Sequence, residues 1–418
     1  MAENIREHLR RLLSVPPGKG KPVFLFWLYF FLVITSYYLI KPVRDGLFLE
    51  HLGSGMLPWF YLLNTGLGLL VVCLYNQVRR RIRAVPFIQT IGCALILVFF
   101  GFRFLFGTFP ALAASLFHSW ASVYNLVVVL MFWSFADDFF SLDEGKRFFG
   151  FIGTGGVLGG VVGGWLAGLL AEILGSANLL IVSSGVLFLG LVVVQILGMA
   201  VPSRRGKGLA DDQEGEQLGS GFGFASLYRS PYLRLIAVVV TLTMLCTTLL
   251  NLQFNRGVEL AGFNGDELTS FFGSFYAWMN ASALGLQVLV VGPVNRRFGP
   301  LPGLAVLPLI CFGVFADGLF AASFSVLVLG YGAALSVLYS LNQSSRELLF
   351  IPLGIEEKYR AKAFIDVVFF RLGDSLAALA QLLLVSTALF GAAVLQVLGI
   401  LVSLGWLITL RVLQRQTS

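Results

Sequence analysis

The chain has 418 residues, of which 57% are hydrophobic and only 12% charged, and its formal net charge is +7. Soluble domains carry about 25% charged residues, so this composition and the repeated long apolar runs exclude a soluble fold. They predict a polytopic all-α membrane protein. The basic excess does not indicate nucleic-acid binding, because the Lys and Arg residues concentrate in the terminal regions and alternate loops, which places both termini in the cytoplasm.

Residues 1–21 are predicted to form a cytoplasmic arm that lies on the membrane surface. Ile5, Leu9 and Leu12 share one helical face opposite Arg6 and Arg10, the pattern of a short interfacial helix. The arm has no hydrophobic region of the kind found in a signal peptide.

Twelve membrane-spanning helices are predicted in chain order. Their expected bounds are 22–50, 57–78, 86–106, 111–139, 151–173, 177–200, 232–256, 268–293, 302–321, 325–351, 362–389 and 392–411. The first is long enough to hold Lys41 and Arg44 inside the helix, with a kink at Pro42.

The polar end of the first predicted span is the main candidate for function. Tyr37, Lys41 and Arg44 follow an apolar run at i, i+4 and i+7, so a continuing helix presents them on one face. Cations inside a bilayer are costly and usually face a polar cavity, which indicates a site for an anionic substrate. The alternative is that these charges lie at the membrane surface and act as anchors.

The spans divide into two halves of six, 22–201 and 232–418, joined by a cytoplasmic linker over 202–231. The linker is rich in glycine and charge, which is typical of a flexible segment. The two halves share sequence features that repeat after about 210 residues. For example, an arginine cluster follows the second span of each half. Parallel six-helix repeats of this kind describe the major facilitator architecture.

The fifth predicted span carries glycine at every fourth position: Gly156, Gly160, Gly164 and Gly168. This spacing lets two membrane helices pack with their backbones close. This glycine-lined contact, here called the seam, has two open interpretations: the helices slide along it, or they pack there statically. A phosphate-binding loop is excluded, because no lysine with Ser or Thr follows the glycines.

The tenth predicted span holds the second informative run. Tyr339, Gln343, Arg346 and Phe350 share a face if the helix is regular. Arginine suits a phosphate because its planar fork donates two parallel hydrogen bonds. The alternative is that Arg346 pairs with Glu347 or another acid and closes the cytoplasmic side.

Other charges are predicted to pair internally. Arg371 and Asp374 stand at i, i+3 in the eleventh span, and Asp137 and Asp138 are expected to cap the fourth span or to pair with Lys146 and Arg147. The residues with an expected coupling or gating role are Asp45, Asp137, Glu347, Arg371 and Asp374.

The sequence contains no sign of catalytic or metal chemistry. Its three histidines are scattered and its four cysteines lie singly in apolar runs, so a zinc site or disulfide framework is not expected. Without a nucleophile or acid–base motif, an enzyme has no predicted active site. We therefore expect no cofactor, no metal and no enzymatic activity.

Three stretches together resemble the ATP/ADP translocase family, the nucleotide carriers of plastids and intracellular bacteria. They are Lys41-Pro42-Val43-Arg44-Asp45, residues 132–148, and residues 346–367 with Arg346-Glu347-Leu348 and Lys362-Ala363-Phe364-Ile365-Asp366-Val367. The resemblance implies a major facilitator fold and nucleotide exchange, with Arg44 or Lys41 and Arg346 as the substrate cations. Where the family pattern places acids in the fourth and seventh spans, this chain has the region of Ala121 and Asn251.

The expected function is alternating-access transport of nucleotides or related phosphorylated anions, by exchange, in a bacterial inner membrane, by a monomeric protein. Expected substrate-binding residues are Lys41, Arg44, Arg346, Tyr37, Tyr38, Asn251, Asn255, Tyr339 and Gln343. Two alternatives stay open: a proton-coupled exporter of amphipathic molecules and a non-transporting membrane scaffold.

Overall fold

The computed structural model describes residues 19–79, 82–200, 230–353, 361, 362, 364–386 and 393–417. No strand occurs among them, and every long element is a helix. In chain order the helices are α1 Gly20–Leu52, α2 Leu57–Arg79, α3 Ala84–Thr108, α4 Pro110–Phe139, α5 Leu142–Leu174, α6 Leu179–Ala200, α7 Pro231–Leu260, α8 Asp266–Leu289, α9 Val291–Phe298, α10 Pro300–Phe320, α11 Phe324–Val337, α12 Gln343–Leu349, α13 Phe370–Ser386 and α14 Ala393–Thr417.

The first ten predicted spans coincide with one of these helices or with a succession of them. The predicted spans 362–389 and 392–411 extend into residues outside the described ranges, and their described parts lie mainly on α13 and α14. Within the described residues ten helices are long and apolar enough to cross a membrane, and an eleventh is added if α8 and α9, which meet at a 45° bend, form one span. The first span runs through Lys41 and Arg44 as predicted. The linker and the N-terminal arm, apart from their last residues, lie outside the described residues.

Two segments of the chain form π-turns that the sequence pattern did not predict. Residues Leu338–Asn342 join α11 to α12, and Ile365–Phe369 precede α13. A π-turn fits an extra residue into one helical turn, so it rotates every later side chain relative to an α-helix. This shift changes which residues of the tenth predicted span share a face.

The chain forms two compact units. Unit 1 lies within Met1–His51, Leu67–Asp212 and Asn264–Asn280, and unit 2 within Leu52–Gly66, Gln213–Phe263 and Ala281–Ser418. The first part of α8 therefore belongs to unit 1, although it follows the linker in sequence.

Helix α1 lies at the centre of unit 1. The ring of Phe26 contacts four phenylalanine rings of α4 and the residue after it, and Phe30 stacks on Phe132 with ring centroids 4.1 Å apart. Farther along, the Ser36 hydroxyl is hydrogen-bonded to Tyr124 Oη at 2.6 Å and to Ser183 Oγ at 2.8 Å. These contacts fix α1 against α4 and α6.

Helix α5 packs with backbone contact on two sides, which confirms the close packing predicted from its glycines. A Cβ at Gly159 would lie 2.5 Å from the Phe31 carbonyl oxygen of α1, and one at Gly164 would lie 2.8 Å from the Ala277 nitrogen of α8. On the α8 side, a Cβ at Gly273 would lie 2.3 Å from the Gly168 nitrogen. The sliding function of this seam stays a prediction.

Two short 3₁₀ turns begin in the same way, at a glycine with positive φ that is followed by serine. Gly53 has φ 74° and Gly175 has φ 84°. In unit 1 the Asp266 carboxylate accepts hydrogen bonds from the Ser176 backbone nitrogen at 2.6 Å and from its hydroxyl at 2.5 Å. In unit 2, Glu259 accepts the same pair of hydrogen bonds from Ser54. Each turn is thus capped by a carboxylate from near the α7–α8 connection.

The start of α5 is tied to the start of α1. The Ser141 backbone nitrogen donates to the Glu144 carboxylate at 3.1 Å, and Lys19 forms an ion pair with the same carboxylate. Burial alone would raise the pKa of Glu144, but these hydrogen bonds outweigh it and hold the pKa below its usual value. The pair is therefore intact at neutral pH and is lost as the pH falls through that lowered pKa.

In unit 2 the core lies among α7, α10, α13 and α14. Trp406, Phe254 and Phe315 are fully buried. Gly399 of α14 faces the Phe315 ring, where a Cβ would lie 2.5 Å from ring carbons. Gly373 of α13 similarly faces the α7 backbone, with a Cβ 2.6 Å from the Thr241 carbonyl oxygen.

We expect Gly273→Ala to lower the stability of the protein by about 1–3 kcal/mol, because overpacking a helix contact forces backbone shifts. Gly285→Ala is the matched control in the same helix, since its Cβ would meet nothing within 4 Å and alanine is favoured over glycine by about 1 kcal/mol inside a helix. Thermal unfolding in detergent checks both variants. Equal melting temperatures would show that the α5–α8 contact is looser than described.

Candidate functional site

The polar end of α1 meets α8 within unit 1. A Cβ at Gly46 would lie 2.7 Å from Thr269 Oγ1, so the two helices are in close contact there. From that point α8 runs back along α1, and Tyr276 reaches Lys41, Asp45 and Tyr38. Tyr276 is 231 residues from Asp45 in sequence, and no local pattern pointed to it.

Arg44 and Asp45 form a closed ion pair. The Arg44 Nε and Nη2 atoms each lie 2.6 Å from Asp45 Oδ1, and the Tyr276 hydroxyl donates to Asp45 Oδ2 at 2.6 Å. Adjacent helical residues do not face each other, so the long Arg44 side chain has to reach around the helix to Asp45. Both oxygens of Asp45 are thus engaged, and the charge of Arg44 is neutralised inside its own helix.

Lys41 is in a different position from Arg44. Its ammonium lies 3.8 Å from the centroid of the Tyr276 ring and 5.2 Å from that of Tyr38. In the described part of the chain no carboxylate forms an ion pair with Lys41, although Asp45, one helical turn later and already paired with Arg44, attracts it. The cation is thus held by aromatic faces, an attraction that grows when the pair is desolvated.

The predicted common face of Tyr37, Lys41 and Arg44 is only partly formed. Tyr37 is buried, with 8% of its surface exposed, and lies beside Arg44. Lys41 instead turns toward Tyr38 and Tyr276, and the rings of Tyr37 and Tyr38 meet edge to face at 5.4 Å. The structure therefore brings all five sequence-predicted residues of this run together, but divides them between a closed pair and an aromatic pocket around Lys41.

In unit 2, Asn251 of α7 is held by two tyrosines. Its Oδ1 accepts from the Tyr61 hydroxyl at 2.6 Å, and its Nδ2 donates to the Tyr331 hydroxyl at 2.5 Å. Asn255, one turn later and 7% exposed, donates to the Asn251 carbonyl oxygen at 2.9 Å. Both predicted amides thus belong to one network, in which Tyr61 and Tyr331 were not predicted.

Arg346 of α12 is buried in unit 2, with 8% of its surface exposed. Among the described residues it pairs with Asp366, with Arg346 Nη2 and Asp366 Oδ1 3.9 Å apart, and its guanidinium lies 4.8 Å from the Phe370 ring centroid. Glu347 was the named alternative partner, but it takes Lys362 instead, at 2.6 Å. Neighbouring helical positions point in different directions, so Glu347 and Arg346 turn to different partners.

The predicted common face of Tyr339, Gln343, Arg346 and Phe350 is wrong. Tyr339 and Gln343 are exposed, whereas Arg346 and Phe350 are buried. The π-turn over Leu338–Asn342 moves Tyr339 out of the α-helical register of the residues that follow it. Gln343 lies in the same regular helix as Arg346, so the π-turn does not explain its exposure. In unit 2 the buried face of α12 instead carries Asn342, Arg346 and Leu349.

The predicted ion pair between Arg371 and Asp374 is not formed. Asp374 Oδ1 accepts a hydrogen bond from the Thr248 hydroxyl of α7 at 2.6 Å. Close packing at the adjacent Gly373 brings α7 against this face of α13, so Asp374 points to Thr248 and away from Arg371. Among the described residues, no carboxylate forms an ion pair with Arg371.

The expected partners of Asp138 are also wrong. Asp138 pairs with Arg79 at the end of α2, and Arg79 Nη1 also donates to the Ile82 carbonyl oxygen at 3.0 Å. The arginine is 9% exposed and links the two helix ends. Asp137 is exposed near the end of α4. Asp138 pairs with Arg79 because α2 and α4 are close in space. The prediction had relied on the closeness of Lys146 and Arg147 in sequence.

The comparisons with known proteins agree with this arrangement of helices. A family model described as the TLC ATP/ADP transporter matches residues 111–417. The chain is similar to ADP,ATP carrier protein 1 of Chlamydia pneumoniae, at 28% identity over 305 residues that cover 63% of this chain and 58% of that protein. It is also similar to ADP,ATP carrier protein 4 of Rickettsia conorii, at 25% identity over 306 residues, covering 64% and 60%. The chain thus spans less than two thirds of these relatives.

Two solved structures share the fold. One is the nucleoside transporter NupG, with a TM-score of 0.66 and 10% identity, covering 94% of this chain and 99% of that one. The other is a bacterial homologue of the human lysosomal transporter Spinster, with a TM-score of 0.58 and 14% identity, covering 96% of each chain. At these identities the likeness shows the fold alone, which is that of major facilitator transporters and confirms the predicted fold class.

We expect Asp45→Asn to destabilise the protein by about 3–5 kcal/mol, because it leaves the charge of Arg44 without its partner. Tyr276→Phe keeps the ring against Lys41 and removes the hydrogen bond to Asp45, so its expected cost is smaller, about 1–3 kcal/mol. Thermal unfolding of the two variants, beside wild type, checks this order. An unchanged melting temperature in Asp45→Asn would show that the pair is not a structural element of unit 1.

Proposed function

We propose that this chain, which belongs to the TLC ATP/ADP transporter family, exchanges nucleotides or related phosphorylated anions across a membrane by alternating access. The proposal contains no chemical step, so the protein acts on its substrate by binding and translocation alone. It is an integral membrane protein. We further propose that it lies in a bacterial inner membrane, with both termini in the cytoplasm, and works as a monomer.

The observation that carries the proposal is the state of Lys41. A cation within a membrane helix is costly unless it has a partner, yet among the described residues Lys41 contacts tyrosine faces and forms no ion pair. The neighbouring Asp45 attracts it, but that carboxylate is already bonded to Arg44 and Tyr276. The aromatic faces hold the ammonium only weakly compared with an anion, which would add a charge-assisted hydrogen bond. An incoming phosphate group supplies the missing charge.

The neighbouring Arg44 has a different role in this proposal. Asp45 already neutralises it at 2.6 Å, and Tyr276 completes that pair. Arg44 therefore orients the end of α1, while Lys41 contacts the substrate. Tyr38, whose ring lies 6.1 Å from that of Tyr276, offers a face on which a nucleobase stacks.

In unit 2, Arg346 is proposed as an anion contact in its own right. Its guanidinium is buried, and the Asp366 carboxylate, its ion-pair partner among the described residues, lies 3.9 Å away, beyond hydrogen-bond distance. The amides of Asn251 and Asn255 are already engaged by tyrosines and by the backbone, so they shape the substrate path and are not its main binding groups. Tyr339 and Gln343 are exposed. They are likewise proposed to shape the substrate path without being its main binding groups.

The substrate class is proposed as phosphorylated and not as one named nucleotide. The relatives are named ADP,ATP carriers, and the chain aligns with only part of their length. Asn251 stands in α7 where the family pattern has an acid, so any part of specificity set by that acid differs here. A phosphate-bearing substrate fits the cations whichever base it carries.

Lys41→Gln should weaken the binding of ATP about 10- to 150-fold, since one charge-assisted hydrogen bond contributes about 1.5–3 kcal/mol. Its melting temperature should change little, because Asp45 keeps its bonds to Arg44 and Tyr276 when Lys41 is replaced. Nucleotide titration by calorimetry, beside a melting curve, measures both effects. A loss of stability with unchanged affinity would mean that Lys41 is a structural residue, and the proposal would lose its main support.

A further inference from the structure

We propose that Asp366 is the resident counter-ion of Arg346 and competes with the substrate for it, so that Asp366 sets the affinity for the anion. This inference rests on the proposed function, because it concerns the same anion contact. Asp366 would act as a positioning residue, since it meets the substrate only through Arg346.

The first argument is the looseness of the Arg346–Asp366 pair. The nearest atoms are 3.9 Å apart, and both Arg346 Nε and Asp366 Oδ1 are buried without any hydrogen-bond partner. Buried polar groups are nearly always bonded, and one left unmade costs free energy. The pair is therefore held by electrostatic attraction alone. Either residue is stabilised if it forms hydrogen bonds with another partner.

A second pair within the same protein gives the comparison. Arg44 and Asp45 have the same chemistry, but their atoms are 2.6 Å apart and the other carboxylate oxygen accepts from Tyr276. A tight pair resists exchange, because an anion that takes the arginine leaves a bonded carboxylate behind. The loose pair loses no hydrogen bond on separating, so Arg346 is the arginine that is available to a ligand.

A third observation shows that an acceptor is missing at the same place. Asn342 is 1% exposed, and its Nδ2 is buried without a hydrogen-bond partner. It stands four residues before Arg346, which places the two side chains on one face of the helix. Two unsatisfied donors on one buried face are matched by an anionic oxygen group, which accepts several hydrogen bonds at once.

The departing Asp366 has another cation nearby. Lys362 attracts it and Glu347 repels it, and Lys362 is at present paired with Glu347 at 2.6 Å. These four residues carry two positive and two negative charges, so the cluster is neutral when empty. When an anion binds Arg346, Asp366 moves toward Lys362, whose positive charge then compensates the negative charge of Asp366. Glu347, with 41% of its side chain exposed, is then hydrated by water.

The consequence for exchange is that Asp366 limits how tightly the anion is held. The Asp366 carboxylate repels a bound anion nearby and competes with it for Arg346. This competition speeds the release of the anion. An exchanger needs such release on both sides of the membrane, since tight binding alone does not produce turnover.

The test uses the full chain in detergent, with tripolyphosphate and ATP as probes. Asp366→Asn removes the competing charge while keeping the shape of the side chain. It should tighten tripolyphosphate binding about tenfold, which corresponds to about 1.4 kcal/mol, and should slow ligand dissociation. Glu347→Gln is the matched control, because it makes the same charge change in the same cluster without facing Arg346, and it should tighten binding less.

The outcomes separate the two proposals. Equal tightening in Asp366→Asn and Glu347→Gln would reveal a general effect of net charge and would overturn the role of Asp366, as would weaker binding in Asp366→Asn. Absence of tripolyphosphate binding in every variant would overturn it as well. If Asp366→Asn tightens tripolyphosphate but ATP binds no better than tripolyphosphate and is not transported, the nucleotide function fails while the counter-ion role stands. A melting curve for each variant confirms that the protein tested is folded.

Discussion

The cost of a charge inside a membrane is the constraint on which this structure depends. Each buried ion has to find an opposite charge, a dense set of hydrogen bonds or a ligand. Arg44 has Asp45 and Tyr276, and Arg79 has Asp138. Among the described residues, Lys41 contacts aromatic faces and forms no ion pair, and Arg346 lies 3.9 Å from the Asp366 carboxylate. These two cations are less fully compensated than Arg44 and Arg79, which is why the proposed function assigns the anion contacts to them.

Packing in unit 1 explains how α8 comes to complete the cluster on α1. Glycines of α5 allow its backbone to touch α1 on one side and α8 on the other, and Gly46 lets α8 touch α1 directly. Tyr276 is thereby carried to within 3.8 Å of Lys41 and 2.6 Å of Asp45. One side chain thus serves both the cation and the acid, so the small residues that let the helices touch determine the electrostatics of the site.

The sequence predicted the helices well, because long apolar runs leave few other structures in a membrane. It also singled out Lys41 and Arg346, since they stand out against apolar neighbours, and their role in substrate binding stays a prediction. It failed where partners come from elsewhere in the chain, as with Asp138 and Arg79 or Asp374 and Thr248. It failed again at the π-turn before Arg346, because helical periodicity assumes a regular turn. Asp366 lay in a recognised stretch, but only its distance from Arg346 indicates a role.

The central claim is that the chain exchanges phosphorylated substrates, and counterflow in liposomes tests it most directly. Purified protein is reconstituted into vesicles that contain either ATP or buffer alone, and labelled ATP is added outside. An exchanger takes up label rapidly into the ATP-loaded vesicles and only slowly into empty ones, because its loaded form is the one that crosses. Equal uptake into both kinds of vesicle would contradict exchange, and no uptake into either would contradict nucleotide transport itself.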